Sequence, residues 1–246
     1  MGDPNYWVGL IFEGLGWTVL LAIVGTAVGF VLSLLLVLLR TQKIDKRRDN
    51  LFVQLGKRIG NYFAIGYITV FRGTPMMVQA MLVFFGIKML VGNSIPGFNA
   101  LFSAELAGII VISLNTAAYI AEVIRGAVNS IDVGQMEAGR TLGFSRIKTM
   151  FLIIYPQAIK NSIPAIGNEF IVNLKDSSVL SVIGIIELFK AGSLIFAKTF
   201  DYITVYTIVA GIYLVLTVIC SIVVNYLEKR LGRTINSRRR LRKKNA

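Results

Sequence analysis

The chain has no histidine and a single cysteine, Cys220. The first absence removes the imidazole on which most metal sites, proton relays and catalytic triads depend. The second leaves no internal disulfide and no thiolate cluster. Most enzyme classes thereby lose their usual reagents. Charge is scarce as well: Asp, Glu, Lys and Arg make up 16% of the 246 residues, against about 25% in soluble domains. What charge there is leans one way, with 26 basic residues against 13 acidic ones and a net charge of +13. Together with 55% hydrophobic residues and a mean hydropathy of +0.68, this excludes an ordinary soluble domain. The composition reads as an all-α polytopic membrane protein with basic flanks. A cleavable signal peptide is not expected, because Met1-Gly2-Asp3-Pro4 carries no basic n-region and the first apolar run is too long for an h-region.

What is abundant is long apolar runs. Gly14 to Leu39 and Tyr202 to Leu227 are each 26 residues without a charge, enough to cross a roughly 30 Å hydrocarbon layer as a tilted helix. Within the first, Gly25 and Gly29 lie one turn apart, a spacing that suits close helix packing and equally suits a merely flexible stretch. The uncharged runs Ile59–Phe71 and Gly73–Ile87 flank Arg72, and Leu106–Ala121 is bracketed by Glu105 and Glu122. The expectation is five transmembrane helices, near 15–39, 61–90, 103–124, 152–184 and 202–227, in one transmembrane domain over 15–228. The fourth is expected to be broken, since it crosses Pro156 and Pro164.

Five spans put the two ends on opposite sides. Segment 40–58 holds seven Lys and Arg residues, segment 125–148 holds four and 228–246 holds nine, so that 20 of the 26 fall on one side. Segments 1–13 and 91–102 hold none. The positive-inside rule then places residues 1–14 outside and 229–246 inside as a basic cytoplasmic tail, with only Lys190 and Lys198 dissenting. Next to a membrane span, the run Arg238-Arg239-Arg240-Leu241-Arg242-Lys243-Lys244 reads as an anchor against anionic lipid rather than a nucleic-acid arm.

Between the third and fourth spans, residues 126–148 are too polar to cross a membrane. Ser130 or Asp132 can cap a short helix there and Gly143 fits its end. Composition alone makes this a connecting loop with a surface helix.

Spacing adds more. Glu137-Ala138-Gly139 precedes Gly143, with Ile153 and Pro156 following at fixed intervals. This resembles the cytoplasmic signature of the permease subunits of ATP-binding-cassette importers, in their polar amino-acid uptake branch. Gly139 stands where that signature has a second alanine, and Tyr155 where it has leucine. Three further stretches are similar to that branch: Phe71 to Gln79, Ala118 to Gly126, and Asn168-Glu169 followed by Leu174 to Ser178. The resemblance spans about residues 15–228. It implies a type I importer permease fold of the bacterial cytoplasmic membrane, acting as a transporter subunit and not as an enzyme. It implies three kinds of protein partner: separate ATPase subunits, a second permease copy or paralogue, and an external substrate-binding protein. The coupling helix would sit between spans three and four, with Asp132, Met136, Glu137, Ala138, Gly139, Arg140, Leu142, Gly143 and Phe144 facing the ATPase. No Gly-x-x-x-x-Gly-Lys-Ser/Thr cradle occurs in the chain, so ATP and magnesium are expected on the partner and no cofactor here.

Polar residues at membrane depth point to a path. Arg72 inside the second span needs a partner, a snorkelling route or a water-filled site. At about 100° per residue, Glu169, Asn173 and Asp176 share one helix face, with Asn161, Asn168 and Lys175 on an adjoining stripe. Asn115 is an amide within an apolar helix. The expected substrate path is Arg72, Asn115, Asn168, Glu169, Asn173, Lys175 and Asp176, for a polar amino acid of unspecified identity. A subunit seam, a passive channel and a structural membrane subunit without ATP coupling are the competing readings.

Overall fold

The computed structural model describes residues 4–42, 44, 49–92 and 94–244, with side chains described from Tyr6 to Arg230. Met1 to Asp3, Lys43 and Lys46 to Arg48 lie outside the described residues, and the side chains of the basic tail beyond Arg230 lie outside them as well. Among the described residues the secondary structure is helical, without strands. In chain order the helices are α1 (Pro4–Thr41), α2 (Leu51–Gly73), α3 (Met76–Val91), α4 (Phe98–Leu101) and α5 (Ala104–Asn129). They are followed by α6 (Val133–Thr141), α7 (Arg146–Ile183), α8 (Leu188–Thr199) and α9 (Tyr202–Lys244).

Among the described residues three helices, α1, α5 and α9, are long and apolar enough to cross a membrane by themselves, and the bent pairs α2–α3 and α7–α8 bring the number to five if each is one span. The second span is therefore not the single helix expected over 61–90. Pro75 disfavours helical backbone at the residue before it, and Thr74 is extended at φ −122°, ψ 146°. As a result α2 and α3 meet at 108°. The fourth span also differs from expectation. α7 continues through Pro164, and its irregular turn is a π-helical stretch at Met150–Ile154. That widened turn contains the carbonyl of Leu152, the one that Pro156 cannot bond. α7 ends in a 3₁₀ segment, Ser177–Ile183, and bends by 52° onto α8.

The expected external ends are more ordered than loops. α1 begins at Pro4, so most of the presumed free N-terminus is helix. Between the spans expected near 152–184 and 202–227 the chain is largely α8, whose Leu188, Ala191, Gly192 and Ile195 are buried. Lys198, one of the two dissenting cations, lies 5.1 Å from the ring of Tyr6 and 5.5 Å from that of Trp7.

α5 is the central element. Of its most apolar window 61% is buried, against 33% for α1 and 6% for α9. One apolar cluster joins Val111 and Ile112 of α5 to Leu21, Phe84, Leu180 and Ile185. A second joins Ala117, Ile120 and Ile124 to Leu36, Val37 and Ile68. The glycine pair in α1 makes this packing possible. A Cβ at Gly25 would lie 2.7 Å from Ile112 Cγ2, and one at Gly29 would lie 2.9 Å from Thr116 Cβ. Close packing, not flexibility, is what these glycines provide.

Candidate functional site

Where α2 breaks, α5 and α7 supply a polar wall. A cavity of about 660 Å³ opens there, lined by Arg72 to Met76, by Asn115 and Tyr119 of α5, and by Glu169, Val172, Asn173, Asp176 and Val179 of α7. The one-face spacing of Glu169, Asn173 and Asp176 is what brings all three to the same cavity. Five of the seven residues singled out from sequence line it: Arg72, Asn115, Glu169, Asn173 and Asp176. Asn168 and Lys175 do not. Both are exposed on the adjoining stripe of α7, because a step of one residue turns a helical side chain by about 100°.

Two of the five are bound up in the protein framework. Asn173, 4% exposed, donates through Nδ2 to Thr26 Oγ1 at 2.9 Å and contacts Thr116 Oγ1 at 3.0 Å, knotting α7 to α1 and α5. Asn115 donates through Nδ2 to Phe71 O at 3.2 Å and to Gln79 Oε1 at 3.0 Å. With both N–H groups engaged, only its Oδ1 is left to meet a ligand, as an acceptor. Arg72 is exposed and makes no ion pair among the described residues. Its guanidinium stacks on the Tyr119 ring at 5.2 Å, a cation–π contact. The cavity thus holds two carboxylates, one guanidinium and one amide acceptor.

Sequence reasoning missed three residues here. Gln79 and Tyr119 stand within stretches already quoted as motifs, but nothing in spacing marks them as supports of Arg72 and Asn115. Glu187 is fully buried and caps α8, accepting from Phe189 N at 2.8 Å, Lys190 N at 2.7 Å and Tyr213 Oη at 2.8 Å. A carboxylate inside the apolar run Val179 to Phe189 was the available signal.

At the basic end, α6 forms as a short capped helix. Asp132, rather than Ser130, is the cap, its Oδ1 accepting from Gly134 N at 2.6 Å. Ser130 bonds back to Ala127 O instead. Gly143 takes φ +81°, with its N–H on Arg140 O at 3.0 Å and Phe144 N on Gly139 O at 3.1 Å. These paired bonds make a Schellman end. Glu137, Ala138, Arg140, Leu142 and Gly143 are exposed along with Asp132, whereas Met136 and Phe144 are half-buried. Gly139 is buried. Lys148 lies over the Phe144 ring at 5.1 Å. Val133, the first residue of α6, is 72% exposed, and Leu142, just past its last residue, is 73% exposed.

Residues 52–233 match the family described as binding-protein-dependent transport system inner membrane component. The chain is 36% identical over 223 residues to the glutamine transport system permease protein of Escherichia coli strain K12, covering 90% of this chain and 93% of that one. It is 35% identical over 221 residues to the arginine transport system permease protein of Bacillus subtilis strain 168, covering 90% and 92%. A solved structure entitled "Crystal structure of an amino acid ABC transporter with histidines" superimposes with a TM-score of 0.77 at 35% identity, covering 94% of this chain and 99% of that one.

Proposed function

The chain belongs to the binding-protein-dependent transport system inner membrane component family, and from that premise we propose that it forms the path by which a polar amino acid enters the cell. It is a multi-pass inner-membrane transporter subunit with a type I importer permease fold, not an enzyme. The observation that carries the proposal is the convergence of Arg72, Glu169 and Asp176 from two helices on one cavity beside a broken span. Charges at membrane depth are costly unless paired or hydrated, and they mark ligand pathways. A zwitterion offers an ammonium for Glu169 or Asp176 and a carboxylate for Arg72. With two carboxylates against one guanidinium, the cavity suits a neutral or basic amino acid better than an acidic one. The named relatives, permeases for glutamine and for arginine, fit that range.

ATP binding would occur on a separate subunit docked against the exposed Val133 and Leu142, oriented by Glu137 and Arg140. The exposed stripe of Asn161, Asn168 and Lys175 calls for a polar neighbour, which a second copy or a paralogue supplies. The two chains would expose the cavity alternately to each side, an external binding protein delivering the ligand. The N-terminus lies outside and the C-terminus inside. Reconstitution tests this: uptake into proteoliposomes should require the ATPase subunit, ATP and loaded binding protein. ATP-independent flux through this chain alone would favour a passive channel instead.

A further inference from the structure

The break between α2 and α3 leaves a backbone group to account for. Pro75 has no N–H, so the carbonyl of Phe71, four residues earlier, lacks the partner that a continuous helix would give it. Two side-chain amides replace that partner: Gln79 Nε2 donates to Phe71 O at 3.0 Å and Asn115 Nδ2 at 3.2 Å. Gln79 Nε2 is also 3.0 Å from Thr74 O and 2.9 Å from Thr74 Oγ1, while Gln79 Oε1 accepts from Asn115 at 3.0 Å. Gln79 is 7% exposed and does not line the cavity. Its amide grips the backbone on both sides of Arg72 and Gly73. One turn along α5 from Asn115, the Tyr119 ring supports the Arg72 guanidinium. The backbone and the head group of Arg72 are therefore held by different residues.

We propose that Gln79 is a positioning residue for the cavity, fixing the end of α2 so that Arg72 stays in the wall it shares with Glu169 and Asp176. This rests on the reading of the cavity as the amino-acid path. A leucine at 79 removes the donor to Phe71 and Thr74 and frees one Asn115 N–H, so the backbone carrying Arg72 is no longer held at a fixed angle. Residues that act through one another give non-additive losses, and residues that act separately give additive ones.

The test is a double-mutant cycle in proteoliposomes containing the complete complex, with Gln79→Leu, Arg72→Ala and the double variant. Amino-acid uptake per ATP hydrolysed is the readout, because loss of folded protein lowers uptake and hydrolysis together and leaves the ratio unchanged. The expected result is a loss of about tenfold in each single variant and no further loss in the double. If Gln79→Leu does not assemble with the ATPase, Gln79→Glu takes its place in the cycle, keeping the shape and the acceptor for Asn115 while removing the donor. A double variant showing the product of the two losses overturns the proposal, as does a normal ratio at position 79 beside a reduced one in Arg72→Ala. A normal ratio in Arg72→Ala overturns the path reading itself, and the proposal with it.

Discussion

Thr149 closes over Gly139: a Cβ at position 139 would lie 2.5 Å from Thr149 Cγ2 and 2.9 Å from its Oγ1. This contact between α6 and the first turn of α7 accounts for glycine where the family signature has its second alanine. Gly139→Ala should therefore destabilise the α6–α7 corner by about 1–3 kcal/mol, despite the better helix propensity of alanine. Adding Thr149→Ala should recover most of that loss. Thermal unfolding of the purified chain measures both, and equal melting temperatures for Gly139→Ala and the parent would refute the steric account.

Just past the same end of α6, Gly143 has the positive φ that glycine adopts without strain. Gly143→Leu, or Glu137→Lys on the exposed face, should uncouple the complex. Docking of the binding protein should persist while uptake falls several-fold. Wild-type uptake at normal expression in both variants would reduce the segment to a connecting loop.

Glu169→Gln keeps the shape of a cavity-lining side chain and removes its charge. Uptake should fall far more than in Leu214→Ala, a change at an exposed apolar position of α9. Equal uptake kinetics in the two variants would make Glu169 a structural residue.

The α1–α5 contact has a built-in control. Gly25→Val inserts a branched side chain against Ile112 and should cost about 1–3 kcal/mol, whereas Gly66→Ala, with open space around it, should be close to neutral. Melting temperatures that fall equally in both variants would contradict the close-packing account.

Orientation can be read with two single cysteines in a Cys220→Ser background. An impermeant thiol reagent added outside should label Ser94→Cys, in the turn after α3, and should not reach Gln135→Cys on α6 until the membrane is permeabilised. Labelling of both from outside would reverse or break the five-span arrangement.

Membrane residence, helical class and the capped helix between the third and fourth spans were legible from sequence, because each rests on local or near-periodic information. Uncharged runs of 26 residues, the spacing of Asp132 from Gly143, and the shared face of Glu169, Asn173 and Asp176 are properties of one segment at a time. The periodicity also set apart Asn168 and Lys175, although both were first assigned to the path. That they do not line the cavity depends on which face of α7 meets α5.

What only the tertiary structure decided depends on pairs of segments far apart in the chain. Gly25 and Gly29 could serve packing or flexibility until Ile112 and Thr116 were found against them. Pro75 interrupts the second span, but the 108° angle there and the Gln79–Asn115 amides that satisfy Phe71 involve a helix some 40 residues away. Pro164 signals a kink as strongly as Pro156 does, yet only the turn before Pro156 is irregular. A polar residue in an apolar run shows that a partner must exist, since desolvation demands one. Which partner it is, and whether that leaves an atom for a ligand, is settled by the packing of α1, α5 and α7 around the cavity.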